Sequence, residues 1–370
     1  MQVIKMDIAL IDKNLKVETN IDKENLVWFD VRKAPFKVYG LYNYKNEPIF
    51  KRMPTDVAEA TNEGVAALYK NTAGGRVRFK TNSPYIAIKA VMPSKCHMPH
   101  MAMTGSAGFD LYRVKDGIYS YVKSFVPPAN TKPDYESVVE GWDVGAEREY
   151  EINFPLYSSV DALYIGLDKN SILESAKEYR DIKPVVYYGS SITQGGCASR
   201  PGLSYQSVIS RRFDLDYINL GFSGSARGED AVVDYMAGLD MSIFVSDYDH
   251  NAPNAKHLAA THFKLYEKIR AKNPELPILF VSRPGFDTGF DAQHMRIDYL
   301  HETIERRNVV YETYCKAFKQ GDKNVFFIDG ESLFEGEDRG DCTVDGTHPN
   351  DLGFYRMANR IGSMIERILF

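Results

Sequence analysis

Apolar and polar positions follow two rhythms along this chain, and the change from one to the other comes near Asp181. In the first part, short runs rich in β-branched and aromatic residues are divided by turn signals, and several alternate with period two. Val27–Val31, Val65–Tyr69, Val77–Thr81, Tyr85–Ala90, Tyr119–Val122, Arg148–Phe154 and Ala162–Leu167 are predicted strands of this kind. Asn82-Ser83-Pro84 and Lys115-Asp116-Gly117 supply turns between them. Such alternation gives each strand one face for a core and one for water, which predicts an antiparallel sandwich of jelly-roll type.

Beyond Asp181 strand and helix patterns take turns, which predicts an α/β domain with helices on both faces of a parallel sheet. Val185–Tyr188, Asp216–Leu220, Met241–Val245, Ile278–Val281 and Val325–Ile328 are the expected strands. Helices are expected over Ser204–Phe213, Glu229–Ala237, Ala259–Asn273, Asp298–Gln320 and Leu352–Leu369. In the last, Leu352, Tyr355, Met357, Ala358, Ile361, Met364, Ile365 and Ile368 recur at helical spacing, a stripe expected to face the core. The chain thus divides into an antiparallel β-sandwich over residues 1–175 and an α/β domain over 176–370. Its length of 370 residues suits two domains of ordinary size.

Composition removes several classes of partner. A net charge of -5 without a long basic run argues against nucleic acid, whose phosphates are bound by clustered Lys and Arg. Four scattered cysteines, Cys96, Cys197, Cys315 and Cys342, form no Cys-x-x-Cys pair. Cys96-His97-Met98-Pro99-His100 groups ligand-type side chains, but Pro99 interrupts any helix and no fourth ligand is near in sequence, so no metal is expected. Gly195-Gly196 lacks a following Gly-Lys-[Ser/Thr], so no nucleotide or other cofactor is expected either. No run of about 20 apolar residues offers a membrane span. The first twelve residues carry no secretory core, so the chain reads as cytoplasmic, or as secreted or periplasmic if a signal peptide has been removed ahead of it. Oligomeric state is not written in the pattern.

The candidate chemistry lies in the second part. Val185-Val186-Tyr187-Tyr188-Gly189-Ser190-Ser191 is an apolar run ending in a tight glycine turn, a place where a hydroxyl is lifted clear of a sheet. Serine is a poor nucleophile until an imidazole accepts its proton. Asp345-Gly346-Thr347-His348-Pro349 supplies an imidazole and, three residues before it, a carboxylate to orient it. Pro349 disfavours helix at His348 and keeps it extended at a helix entrance. In an α/β sheet, loops after the strands converge on one edge, so these pieces can meet.

These residues, in this order, resemble the SGNH hydrolase superfamily, also called GDSL esterases and lipases. The resemblance places the nucleophile at Ser191, with Ser190 where many members carry aspartate, and the base and its partner at His348 and Asp345. Asn219-Leu220-Gly221-Phe222-Ser223-Gly224 is similar to the second sequence block, which implies an oxyanion-hole N–H at Gly224 beside that of Ser191. The third block usually reads Gly-x-Asn-Asp; here Asp247-Tyr248-Asp249-His250-Asn251 departs from it, and Asn251 takes the place of the side-chain donor. Upstream, Gly108-Phe109-Asp110-Leu111-Tyr112 resembles the Gly-x-Asp-Leu-Tyr signature of the β-rich domain found ahead of some esterases of the superfamily.

The resemblance implies a flavodoxin-like domain that cleaves carboxylic esters through an acyl-enzyme, without metal or cofactor. Its substrate is expected to be a small-molecule or carbohydrate ester, with deacetylation of a carbohydrate preferred. A lipase or acylhydrolase, an acyltransferase of the same fold, and a non-catalytic carbohydrate-binding protein are the alternatives. Gly108, Asp110 and Tyr112 are expected to be structural, in a loop where Asp110 caps backbone groups. His250 is expected to line the pocket beside Asn251, and His257 and His262 to lie on a solvated helix. Cys197 is expected to lie near the mouth as a packing residue. Arg200 and Arg283 are candidates for touching substrate.

Overall fold

The computed structural model describes residue 17 and residues 21–370, apart from 130–131, 142–145 and 286–296. Two antiparallel sheets face each other in its first part. One runs Leu26–Asp30, Ala162–Asp168, Tyr85–Val91, Tyr135–Glu140. The other runs Leu173–Glu174, Arg76–Thr81, Arg148–Asn153, Phe109–Lys115, Ile118–Phe125, with Lys37–Tyr39 also paired to Arg76–Thr81. Val77, Phe79, Phe109, Leu111 and Ile152 from one sheet pack on Ile86, Ile88, Leu163 and Ile165 from the other. Period-two alternation produces this sandwich core, since every second residue of each strand reaches it.

Around Arg76 and Arg78 the opposite face of the second sheet does not meet water. Arg76 and Arg78 alternate with Val77 and Phe79 and are themselves buried, because the α/β domain covers them. Arg76 forms an ion pair with Asp216 and lies 3.8 Å over the Tyr217 ring. Arg78 lies 3.7 Å from Asp214 and 3.9 Å from Glu151. Buried charge is tolerated here because each guanidinium is matched by a carboxylate.

Two expectations fail in this part, each for a tertiary reason. Val65–Tyr69 is not a strand; Glu63–Leu68 is a short helix, capped by Asn62, whose side chain accepts from the Val65 N–H at 2.9 Å. Val65 and Tyr69, four residues apart, are buried together against Val186, Leu220 and Phe222 of the α/β domain. Helical spacing was thus hidden inside a run that looks β-like. Phe109–Lys115 is not a loop but a central strand, paired on both sides.

The second part contains a five-stranded parallel sheet in the order Tyr217–Gly221, Val185–Gly189, Ile243–Asp247, Ile278–Val281, Val325–Ile328. Val185 and Tyr187 point into one apolar cluster, with Tyr205–Phe213 and Asp351–Leu369; Val186 and Tyr188 point into the other, with Asp230–Ala237 and Ala255–Lys272. The helices therefore cover both faces. In Asp351–Leu369 the buried side comprises Gly353, Phe354, Met357, Ala358, Ile361, Gly362 and Ile365, whereas Leu352 and Tyr355 are exposed. The strand order reverses between the first and third strands of this sheet, the position where flavodoxin-like folds open a crevice beyond the carboxyl ends.

The sandwich grips this domain in two places. Arg52 is fully buried and donates to the carbonyls of Asn219, Gly221 and Leu68, with its guanidinium 4.5 Å over Phe222. Asp110, also fully buried, accepts from Asn153 Nδ2 at 2.8 Å, from the Gly202 N–H at 2.9 Å and from Arg200 at 3.0 Å. Arg200 is thereby committed to structure rather than free for substrate. Asp110→Ala leaves a guanidinium and two N–H donors without their acceptor, and breaking a buried pair in this way costs about 3–5 kcal/mol. A urea midpoint corresponding to a loss of less than about 1 kcal/mol would contradict this clasp.

Candidate active site

The turn after the first parallel strand is fixed by close contacts. A Cβ on Gly189 would come 1.6 Å from Asp247 Oδ1, so no other residue fits at the strand end without displacing it. Ser190 then adopts an extended conformation, and its hydroxyl accepts from the Ile192 N–H at 3.1 Å. This cap starts the single-turn helix Ser191–Gln194, which stops at Gly195 with φ of 108°. Such a left-handed stop suits glycine. From the sandwich, the Tyr157 hydroxyl donates to the Ser191 carbonyl at 3.2 Å, and the Leu156 carbonyl accepts from Gln194 Nε2 at 3.2 Å.

Beneath the turn lies a carboxyl group that the sequence reading left unassigned. Asp247 is buried at the end of the neighbouring strand; Thr193 Oγ1 donates to its Oδ1 and the Tyr205 hydroxyl to its Oδ2 at 3.2 Å. Burial pushes its pKa up to about 8, against the opposing pull of those hydrogen bonds. Through these hydrogen bonds the carboxyl braces the turn from below.

The loop near the chain's end brings the second half of the site. His348 Nε2 lies 2.9 Å from Ser191 Oγ, and His348 Nδ1 lies 2.7 Å from Asp345 Oδ2. The other carboxylate oxygen of Asp345 accepts from the backbone N–H of His348 at 2.7 Å and of Thr347 at 3.0 Å. Partial burial alone would raise the Asp345 pKa, but these hydrogen bonds bring it down to about 2. An ionised acceptor at Nδ1 puts the ring proton there, leaving the Nε2 lone pair toward Ser191. The loop is closed by the Val344 N–H donating to the His348 carbonyl at 3.0 Å, and is tied to the nucleophile side by the Cys197 N–H donating to the Pro349 carbonyl at 3.2 Å. Asn350 caps the next helix, so His348 stays outside it.

Gly224 and Asn251 lie on the loops that follow the two strands flanking Val185–Gly189. Gly224 has φ of 67° in the turn after the second strand, and its N–H has no chain partner among the described residues. Asn251 Nδ2 donates to the Phe222 carbonyl at 2.9 Å, which holds that same turn. One amide hydrogen of Asn251 is used in this way, and the other remains for a ligand. His250, beside it, has its pKa pushed well down by burial and by the positive fields of Arg283, His348 and Arg306, so its imidazole is neutral.

A profile of the GDSL-like lipase/acylhydrolase family matches residues 182–366, half of the chain, and one of the N-terminus of SGNH-hydrolase-type esterases matches residues 26–173. The chain belongs to the GDSL-like lipase/acylhydrolase family. Its fold is similar to that of a protein named a GDSL-like lipase from Bacteroides ovatus ATCC 8483, 29% identical, covering 93% of this chain and 98% of that one with a TM-score of 0.84. The salicylyl-acyltransferase SsfX3 of a tetracycline biosynthetic pathway shares the fold at 18% identity, with coverage of 94% and 99% and a TM-score of 0.74. A family two carbohydrate esterase from Clostridium thermocellum, in complex with cellohexaose, shares it at 15% identity, with coverage of 81% and 94% and a TM-score of 0.55. No curated protein matches the chain. No helix among the described residues is long and apolar enough to cross a membrane.

In this GDSL-like hydrolase His100 and His262 lie where sequence reasoning did not expect them, whereas Cys197 lies near His348 as expected. His100, set aside with its local cluster, stands with its ring centroid 5.8 Å from that of His348. The sandwich domain therefore reaches the mouth. Cys197 is buried near the same imidazole, with its thiol pKa pushed up to about 11 by desolvation and the nearby Asp345 charge. His262 is not on a solvated helix face: it is buried between Tyr248 and Phe280, and burial lowers its pKa to about 3. His257 is only partly buried, and its Nε2 lies 2.9 Å from the Arg227 carbonyl.

Proposed function

We propose that this GDSL-like hydrolase is a serine esterase that removes short acyl groups, acetyl foremost, from carbohydrate esters through an acyl-enzyme on Ser191. The observation that carries the reading is the continuous relay from Ser191 Oγ to His348 Nε2 and from His348 Nδ1 to Asp345, at 2.9 and 2.7 Å. His348 takes the proton of Ser191 as Oγ attacks the ester carbonyl, and the imidazolium is stabilised by Asp345. The carbonyl π pair moves onto oxygen, where the N–H groups of Ser191 and Gly224 and the Asn251 amide donate to it. Collapse expels the alcohol, which leaves with the proton from His348. Water then repeats the sequence, deprotonated by His348, and releases the acid and Ser191.

Support for a carbohydrate alcohol comes from the fold shared with family two carbohydrate esterases and from the open flanks of the site. A Cβ on Gly224 or Gly346 would meet nothing within 4 Å, so both loops are open at these positions. The test is a panel of acetylated sugars, short nitrophenyl esters and long-chain esters, assayed with wild type and Ser191→Ala and followed by product analysis. The reading requires Ser191-dependent release of acetate from sugar esters, with kcat/KM falling as the acyl chain lengthens. Preference for long chains, or transfer to an added sugar acceptor in place of hydrolysis, would replace it with a lipase or an acyltransferase.

Asn251→Ala is expected to lower kcat about 100- to 1,000-fold while KM changes little, because its second amide hydrogen acts on charge formed only in the transition state. Steady-state kinetics on a short ester measure the split. A rise in KM at unchanged kcat would remove Asn251 from the oxyanion site.

A further inference from the structure

We infer that His100, Cys197 and His348 form a zinc-binding site that holds the hydrolase inactive when occupied. One ligand atom from each of these residues lies within 4.8 Å of the others. A tetrahedral zinc with bonds of about 2.0–2.3 Å needs its ligand atoms roughly 3.3–3.8 Å apart, so the cluster needs to close by no more than about 1.5 Å. His100 is exposed and can make that movement by rotating its ring, whereas the other two are anchored. The Cys197 backbone is tied to the Pro349 carbonyl, and His348 Nδ1 is held by Asp345.

Three further points favour a metal over a chance grouping. The Asp345 contact leaves only Nε2 of His348 for coordination and reproduces the carboxylate–histidine–metal arrangement that orients an imidazole and raises its basicity. Two imidazoles and a thiol select a borderline-soft ion such as zinc over magnesium or calcium. The ligands also come from separate regions of the chain: His100 from the sandwich domain, Cys197 from the loop after the nucleophile helix and His348 from the loop near the end. Spacing within Cys96–His100 could not reveal this, because the completing ligands lie far away in sequence.

Coordination and catalysis exclude each other. On binding, the Cys197 S–H gives its proton to solvent and the thiolate forms the sulfur–zinc bond, while the His348 Nε2 lone pair forms a nitrogen–zinc bond. That lone pair is then unable to accept the Ser191 proton. A fourth position is left for water.

The experiment uses the full chain in two readouts. In the first, zinc is titrated into short-ester hydrolysis. Inhibition reversed by a chelator is expected, with no effect of magnesium at the same concentration, and His100→Ala and Cys197→Ser are each expected to raise the half-inhibitory concentration at least about tenfold, every protein being compared with its own metal-free rate. In the second, cobalt is titrated into the Ser191→Ala protein. A thiolate-to-cobalt charge-transfer band that disappears on adding Cys197→Ser supports the site even if the substrate proposed above is wrong. Equal zinc sensitivity of wild type and both variants, or a cobalt spectrum lacking the thiolate band, would overturn it.

Discussion

Ser191→Ala is expected to lower kcat for a short nitrophenyl ester by about five to six orders of magnitude, the scale seen when a serine nucleophile is removed from a hydrogen-bonded relay. The substitution deletes one oxygen and leaves Gly189, the Ser190 cap and the Asp247 brace intact, so the turn persists. Stability should change by less than about 1 kcal/mol. Stopped-flow and steady-state rates, read beside a thermal melt, separate chemistry from folding. A variant that retains more than about a hundredth of the wild-type kcat would show that another group makes the covalent bond.

His348→Ala is expected to cost nearly as much in kcat, and Ser191→Ala/His348→Ala little more than either alone, because the two act as one unit. Additive losses would mean that they serve separate steps. The pH profile gives a second check. Asp345 is held at about pKa 2, below its ordinary value, so its ionised form stabilises the fold above about pH 4 and that contribution is lost only as pH falls through about 2. Across the working range Asp345 stays ionised, so it adds no titration of its own to the acid limb of kcat/KM. A slope of two above pH 4 would place a second titration in the mechanism.

The parts of this molecule legible in its sequence are those set by local rules. Ile278–Val281 and Val325–Ile328 form strands over the expected residues, since each is a short apolar run between turn signals. Ser191 and His348 were marked by a glycine turn and a proline, features that fix local backbone direction, and their approach to each other follows from the parallel sheet gathering its loops at one edge. What escaped reading depends on distant partners. The pairing of Val65 and Tyr69 with the α/β core decides for helix against β-like composition, and Phe109–Lys115 becomes a strand because residues 148–153 lie beside it. His262 reads as polar but finds two aromatic rings, and His100 meets His348 only after two domains pack.

The burial of Met53, Ala58, Val65 and Tyr69 within the apolar cluster of the parallel sheet has a consequence for how such proteins diversify. Sandwich and catalytic half are not beads on a string. A gene fragment beginning after the sandwich would encode a sheet with an oily gap on one side and two backbone oxygens, those of Asn219 and Gly221, deprived of the Arg52 guanidinium. Recombination that swapped one half for a distant relative's would have to carry this plug along with it.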